Sequence, residues 1–132
     1  MSAAACHSAP FVDGFYKQFD DLVNMYNDKF AKPATAIRNE LMEKGKITKA
    51  DFDDKVDWIY WELWHHEGRR ARRGASMSGP DYAWWHGIYD VAKNFYNKFL
   101  PEVKNVAGPE LYADLTKKYL EPDVRTNGIS KV

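Results

Sequence analysis

Between Phe11 and Leu41 an apolar or aromatic side chain returns every three or four residues: Phe11, Phe15, Phe19, Leu22, Tyr26, Phe30, Ile37 and Leu41. That spacing is the stripe of an amphipathic helix and does not fit the two-residue alternation of a strand. It predicts one helix from about residue 10 to 44. Pro33 removes a backbone hydrogen bond inside it and is expected to break or kink it. Gly45 closes it as a left-handed cap. Thr48 is placed to begin a second helix, with its hydroxyl as cap and Asp51 three residues on. Phe52, Val56, Ile59 and Leu63 form the apolar face of that helix. The pattern continues to about Ser78, where Gly79-Pro80 ends it. A third helix opens at Pro80 or Asp81. Its stripe is Tyr82, Trp85, Ile88 or Tyr89, Ala92, Phe95 or Tyr96, Phe99 and Val103, with Pro101 expected to shorten it. Pro109 suits the first turn of a fourth, through Leu111, Leu115 and Tyr119. No strand pattern or internal repeat appears. The expected fold is all-α: a bundle of three long helices plus a short C-terminal helix. It forms a single domain over 1–132, with an N-terminal arm over about 1–9 and a loose tail over about 121–132.

Length and charge narrow the function. At 132 residues the chain can bury a real core as one domain. Its 19 basic and 19 acidic side chains cancel, which leaves no electrostatic footprint for nucleic acid or an anionic membrane. The run Arg69, Arg70, Arg72, Arg73 is local, and acidic segments such as Asp51–Asp57 offset it. Aromatics are the outlier, with 7 Phe, 8 Tyr and 5 Trp. Rings in that number build a core from few positions and leave others for a partner surface. One cysteine excludes an internal disulfide and a Cys-based zinc cluster. No apolar run approaches the roughly 20 residues of a membrane span. The opening MSAAACHSAP has neither the basic nor the apolar region of a signal peptide, so an exported form would be the mature chain or that chain with an added Met.

The densest chemistry lies in Trp64–Gly87, WHHEGRRARRGASMSGPDYAWWHG, with three tryptophans, a tyrosine, three histidines and four arginines. His65 and His66 are adjacent and diverge by about 100° on a helix, and no histidine pair four residues apart exists, so a metal face is not expected. His65, His66 and His86 read as hydrogen-bonded members of an aromatic interface. The arginines are expected to pair with Glu62, Glu67 and Asp81 or to stack on tryptophan. There is no nucleophile-base arrangement, Gly-rich phosphate loop or paired-carboxylate signature, so the residues give catalysis no support and no cofactor is expected. Cys6-His7 matches the end of a C-x-x-C-H haem-attachment motif, but Ala3 stands where the first cysteine would be.

The stretch from Trp64 to Leu100, with its GRRARRGASMSGPDYAWWHG core, resembles the C-terminal helical region of the octahaem hydroxylamine oxidoreductase family, which includes hydrazine dehydrogenases. CHSAPF looks like the end of that family's last haem motif, so the likeness covers nearly the whole chain. In those enzymes the region follows the haem domain and forms long helices that pack subunits into a trimer. The resemblance implies that Tyr82 matches the tyrosine that bonds to a neighbouring subunit's catalytic haem. Arg73 stands where the family usually has a histidine, and a guanidinium cannot replace imidazole as an iron ligand. The other seven haem motifs are absent from this chain.

The resemblance implies a haem-free accessory or assembly protein for an octahaem hydroxylamine oxidoreductase-type enzyme such as hydrazine dehydrogenase. It would mimic that enzyme's own helices, in a periplasmic or equivalent lumen such as the anammoxosome. Trp64, Arg70, Tyr82, Trp84, Trp85 and His86 are the expected interface. A homo-oligomer, dimer or trimer, is also expected, with Trp84 and Trp85 serving both associations. The alternatives are a small electron-transfer cytochrome with haem on Cys6 through one thioether and His7 as axial ligand, a fragment of a complete enzyme, or an unrelated helical interaction module.

Overall fold

A computed structural model describes residues 6–121. Ala3 and the expected C-terminal tail fall outside them. The architecture is an all-α bundle of three long helices and a shorter one. They are α1 (9–43), α2 (55–76), α3 (80–107) and α4 (Pro109–Tyr119). Among the described residues there is no strand, and no helix is long and apolar enough to cross a membrane.

The long helices are not regular. Wider i→i+5 turns occupy Asn27–Ala31 in α1, Glu62–Gly68 in α2, and Asp81–Tyr89 and Phe95–Phe99 in α3. The inward-facing residues explain them. In α3 the buried line is Ala83, Gly87, Val91, Phe95, Phe99, Val103 and Ala107, a step of four throughout. A regular helix overshoots one turn by about 40° at each such step, so six steps would carry the line roughly 240° away from the core. The wide turns take up the extra residue and hold the line in place. The same step of four runs through Ile59, Leu63, Glu67 and Ala71 of α2. The inner line of α3 therefore differs from the predicted stripe: Tyr82, Trp85 and Tyr89 lie outside, and Ala83 and Gly87 lie inside.

Both prolines inside helices are accommodated by the same device. Pro33 and Pro101 each follow a wide turn by two residues. A proline ring strikes the carbonyl four residues earlier in a regular helix. Those carbonyls, on Lys29 and Asn97, lie within the wide turns. Helix α1 therefore runs on through Pro33 to Glu43, and α3 runs past Pro101 to Ala107 instead of being shortened.

The helix ends follow the sequence in part. Gly45 takes φ +66, and the Lys46 amide donates to the Leu41 carbonyl at 2.8 Å, closing α1 as predicted. At the end of α2, Ser78 takes the left-handed conformation (φ +53) and the Gly79 amide reaches the Gly74 carbonyl at 2.8 Å. The start of α2 departs from expectation. It begins at Lys55, not Thr48. The Thr48 hydroxyl organises the preceding turn instead, donating to Asp53 and accepting from the Ala50 amide. Phe52, expected on the apolar face, sits exposed in that turn at φ +63. Asp57 holds it there. The carboxylate is buried, binds Arg38 Nε at 2.6 Å and accepts from the Phe52 amide at 3.3 Å.

The packing divides the bundle into a body and a tip. The body core joins Phe30, Ile37 and Leu41 of α1, Val56 and Leu63 of α2, Phe95, Phe99 and Val103 of α3, and Leu115 of α4. At the tip the core shrinks to Leu22, Ala71 and Ala83, with Ala75 and Ile88 against them. The N-terminal half of α1 buries only Leu22, so Phe11, Phe15 and Phe19 of the predicted stripe stay outside the core.

Helix α4 is tied to α1 through Glu40, whose Oε2 accepts from Lys118 Nζ at 2.8 Å and from the Tyr119 hydroxyl at 2.7 Å. These hydrogen bonds, that from Lys118 foremost, hold the carboxyl below its ordinary value of 4.5. A carboxyl held low in the folded state binds its proton more readily when unfolded, so its stabilisation is present at neutral pH and fades as pH falls through and below that value. Amide exchange is expected to show α4 losing protection ahead of the body core between about pH 5 and 3. Glu40→Gln should remove that acid step.

Candidate interaction face

At the tip, α2 and α3 approach so closely that only small residues fit between them. A Cβ built on Gly74 would lie 2.4 Å from the Ala83 amide nitrogen, and one on Gly87 would lie 2.6 Å from Ala71 Cα. With Ala71, Ala83, Gly74 and Gly87 filling the seam, the rings on these turns have no inward space. Tyr82, Trp84, Trp85 and Tyr89 all stand exposed, Trp85 to 65 %. Tyr82 leans on His86 at 5.5 Å between ring centres, and Trp85 on Tyr89 at 5.7 Å. His86 Nε2 lies 3.4 Å from Asp81. The close seam thus turns this part of the sequence inside out: small residues in, rings out.

Trp64 is also exposed, but on a different flank. It lines a groove of about 350 Å³ with Val23, Tyr26 and Asn27 of α1, while Trp84 lines another with Gly14, Gln18 and Met25. Leu22 lies under both, so α1 runs between the two tryptophans. The Tyr26 hydroxyl donates to the Leu63 carbonyl inside a wide turn of α2 at 3.1 Å. Burial is the largest cause pushing its pKa up to about 12, which keeps it a neutral donor across the physiological range.

The arginines do not find the partners expected of them. Glu62 meets Lys98, Asp81 meets His86, and buried Glu67 accepts from Asn94 Nδ2 at 2.7 Å across the α2–α3 seam. Arg70 instead contacts His66 Nδ1 at 3.2 Å and Asp90 at 4.0 Å, leaving its own Nε and Glu67 Oε2 buried without partners. Among the described residues none of the four arginines stacks on a tryptophan.

Cys6 is exposed, and His7 stacks flat on exposed Phe11 with ring centres 4.9 Å apart. Among the described residues no three potential metal ligands gather.

One cluster went unread in the sequence. Phe52 contacts Trp58 at 4.8 Å and Trp61 at 6.4 Å, Trp61 stacks on His65 at 4.4 Å, and His65 meets Trp64 edge-on at 5.1 Å. Trp58, Trp61 and His65 stand three and then four apart, which is the spacing of one helix face and was available in the sequence. Phe52 joins them only through the turn before α2.

The fold and its surface define a small helical bundle with outward-facing aromatic clusters. No family model, curated protein or solved structure matches the chain.

Proposed function

We propose that this chain is a non-catalytic docking protein, an accessory or assembly factor that binds a larger enzyme through the outer rings of α3. The observation that carries the reading is the placement of Tyr82, Trp84, Trp85 and His86 outside a seam of alanine and glycine. Exposed aromatic patches of this kind anchor protein interfaces, because each ring removes a large apolar area from water at little entropic cost. The resemblance in Trp64–Leu100 directs the partner to an octahaem hydroxylamine oxidoreductase-type enzyme such as hydrazine dehydrogenase, in a periplasmic or equivalent lumen. Arg70, which reaches Asp90 of α3, extends the contact onto α2, while Trp64 lies on the other flank of α1 and stands apart from it.

Co-purification from the native source tests the reading, with a multihaem enzyme as the expected companion. Replacing Trp84 and Trp85 together by alanine should weaken that binding by about a hundredfold, from two lost anchors of 1–2 kcal/mol each. Helicity should be unchanged, since neither ring packs in the core. Free protein with no affinity for any multihaem enzyme would end the proposal.

A further inference from the structure

We propose that the aromatic face of α2 is covered by the same face of a second copy, in an antiparallel two-fold dimer. The face is ordered by charge along its length. At one end, Asp51 and Asp53 flank exposed Phe52 in the turn before α2. The middle is the continuous run of ring contacts from Trp58 through Phe52, Trp61 and His65 to Trp64. At the other end, Arg69 and Arg72 rim the groove beside Trp64. Trp58 is 54 % and Trp64 47 % exposed, so the rings cover one another without being buried.

Among the described residues the basic end is unpaired and the acidic end only partly paired. Among the described residues Arg69 and Arg72 have no carboxylate within ion-pair distance. Asp51 reaches Arg38 only at 3.7 Å while remaining 83 % exposed, and Asp53 is bonded by the Thr48 hydroxyl alone. The nearby cations Lys44 and Lys55 are already engaged by Glu40 and Glu102, while Lys49 and Lys46 border the turn.

A strip that is acidic at one end, aromatic in the middle and basic at the other complements itself when reversed. A two-fold axis near Trp61 sets Asp51 and Asp53 of one copy opposite Arg72 and Arg69 of the other, and rings opposite rings. Every contact then occurs twice, as an isologous interface requires. A parallel or three-fold arrangement of the same face would not bring both charged ends into register. The outer rings of α3 are left free, on the other flank of α1. This assigns self-association and partner binding to separate faces, in place of the shared Trp84 and Trp85 expected from the sequence.

Charge exchange provides the test on the full-length chain by sedimentation velocity, with helicity checked by circular dichroism. The wild-type chain is expected to be a dimer at about 100 µM, a concentration that populates even a weak interface. Asp51→Lys with Asp53→Lys, and separately Arg69→Glu with Arg72→Glu, each place like charges face to face and should raise the dimer dissociation constant at least about tenfold. An equimolar mixture of the two variants restores opposite charges at both ends and should recover the dimer. Trp58→Ser with Trp64→Ser should give monomers through loss of the rings, and this result stands even if a charge variant loses helicity. Trp84→Ala with Trp85→Ala should leave the dimer intact, so failure of the proposed partner does not alter this outcome. A monomeric or trimeric wild-type chain, a ring variant that still dimerises, or a folded mixture that stays monomeric would overturn the proposal.

Discussion

Replacing Gly87 by alanine is expected to lower stability by about 3 kcal/mol, the upper part of the range for overpacking, and Tm by about 10 °C. The added methyl would sit 2.6 Å from Ala71 Cα and Cβ and 2.6 Å from the Tyr82 carbonyl oxygen. Two of those atoms are backbone, so no rotamer change relieves the contact; α2 and α3 must part at Ala71, and the α3 turn that carries the Tyr82 carbonyl must shift. Because the tip holds so small a core, the separation should unfasten it while the body core survives. Hydrogen exchange should accordingly show protection lost mainly between residues 69 and 90. Gly14→Ala makes a contrasting control. Nothing lies within 4 Å of a Cβ there, so alanine should stabilise α1 by about 0.5–1 kcal/mol through its better helix propensity. The same chemical change is thus expected to have opposite signs at two helical glycines, and equal effects in thermal unfolding would disprove the close seam.

The second large effect is expected from Arg38→Ala, at about 3 kcal/mol or more, the usual cost of removing one partner of a buried ion pair. Asp57 is 3 % exposed, and Arg38 Nε at 2.6 Å is its chief partner. Without the guanidinium the carboxylate keeps only the Phe52 amide at 3.3 Å. Arg38→Lys should recover part of the loss, since an ammonium supplies the charge without the guanidinium's geometry. Asp57→Asn together with Arg38→Ala should cost less than Arg38→Ala alone, because the stranded charge is gone. Chemical denaturation of the three variants reads these differences directly. The turn holding Phe52 should loosen in each, since Asp57 and the Trp58 indole, which donates to the Phe52 carbonyl at 2.9 Å, fix it together.

The sequence by itself determined the helical class, the number of helices and several ends. Gly45, Gly79-Pro80 and Pro109 carry their conformational preferences wherever they stand, so α1, α3 and α4 begin or end where local chemistry places them. The start of α2 was not legible in this way. Thr48 is a good cap by type, but the ion pair between Arg38 and Asp57, 19 residues apart, ties the following segment into a turn. The expected interface residues Trp64, Tyr82, Trp84, Trp85 and His86 were visible as a dense aromatic stretch, and the separation of Trp64 from the others by α1 was not.

Which face of each helix points inward was decided only by tertiary structure. Periodicity reading assumes 3.6 residues per turn, and the wide turns in α1, α2 and α3 add a residue that rotates everything beyond them. Those turns persist because they keep a four-residue line of side chains in the core and move carbonyls out of the path of Pro33 and Pro101. At the tip, Ala71, Gly74, Ala83 and Gly87 became the inner surface because each is small enough for the opposing backbone to reach it. A lone helix gives no sign of that neighbour. Periodicity put Tyr82, Trp85 and Tyr89 on the helix stripe, and packing between helices placed them in water.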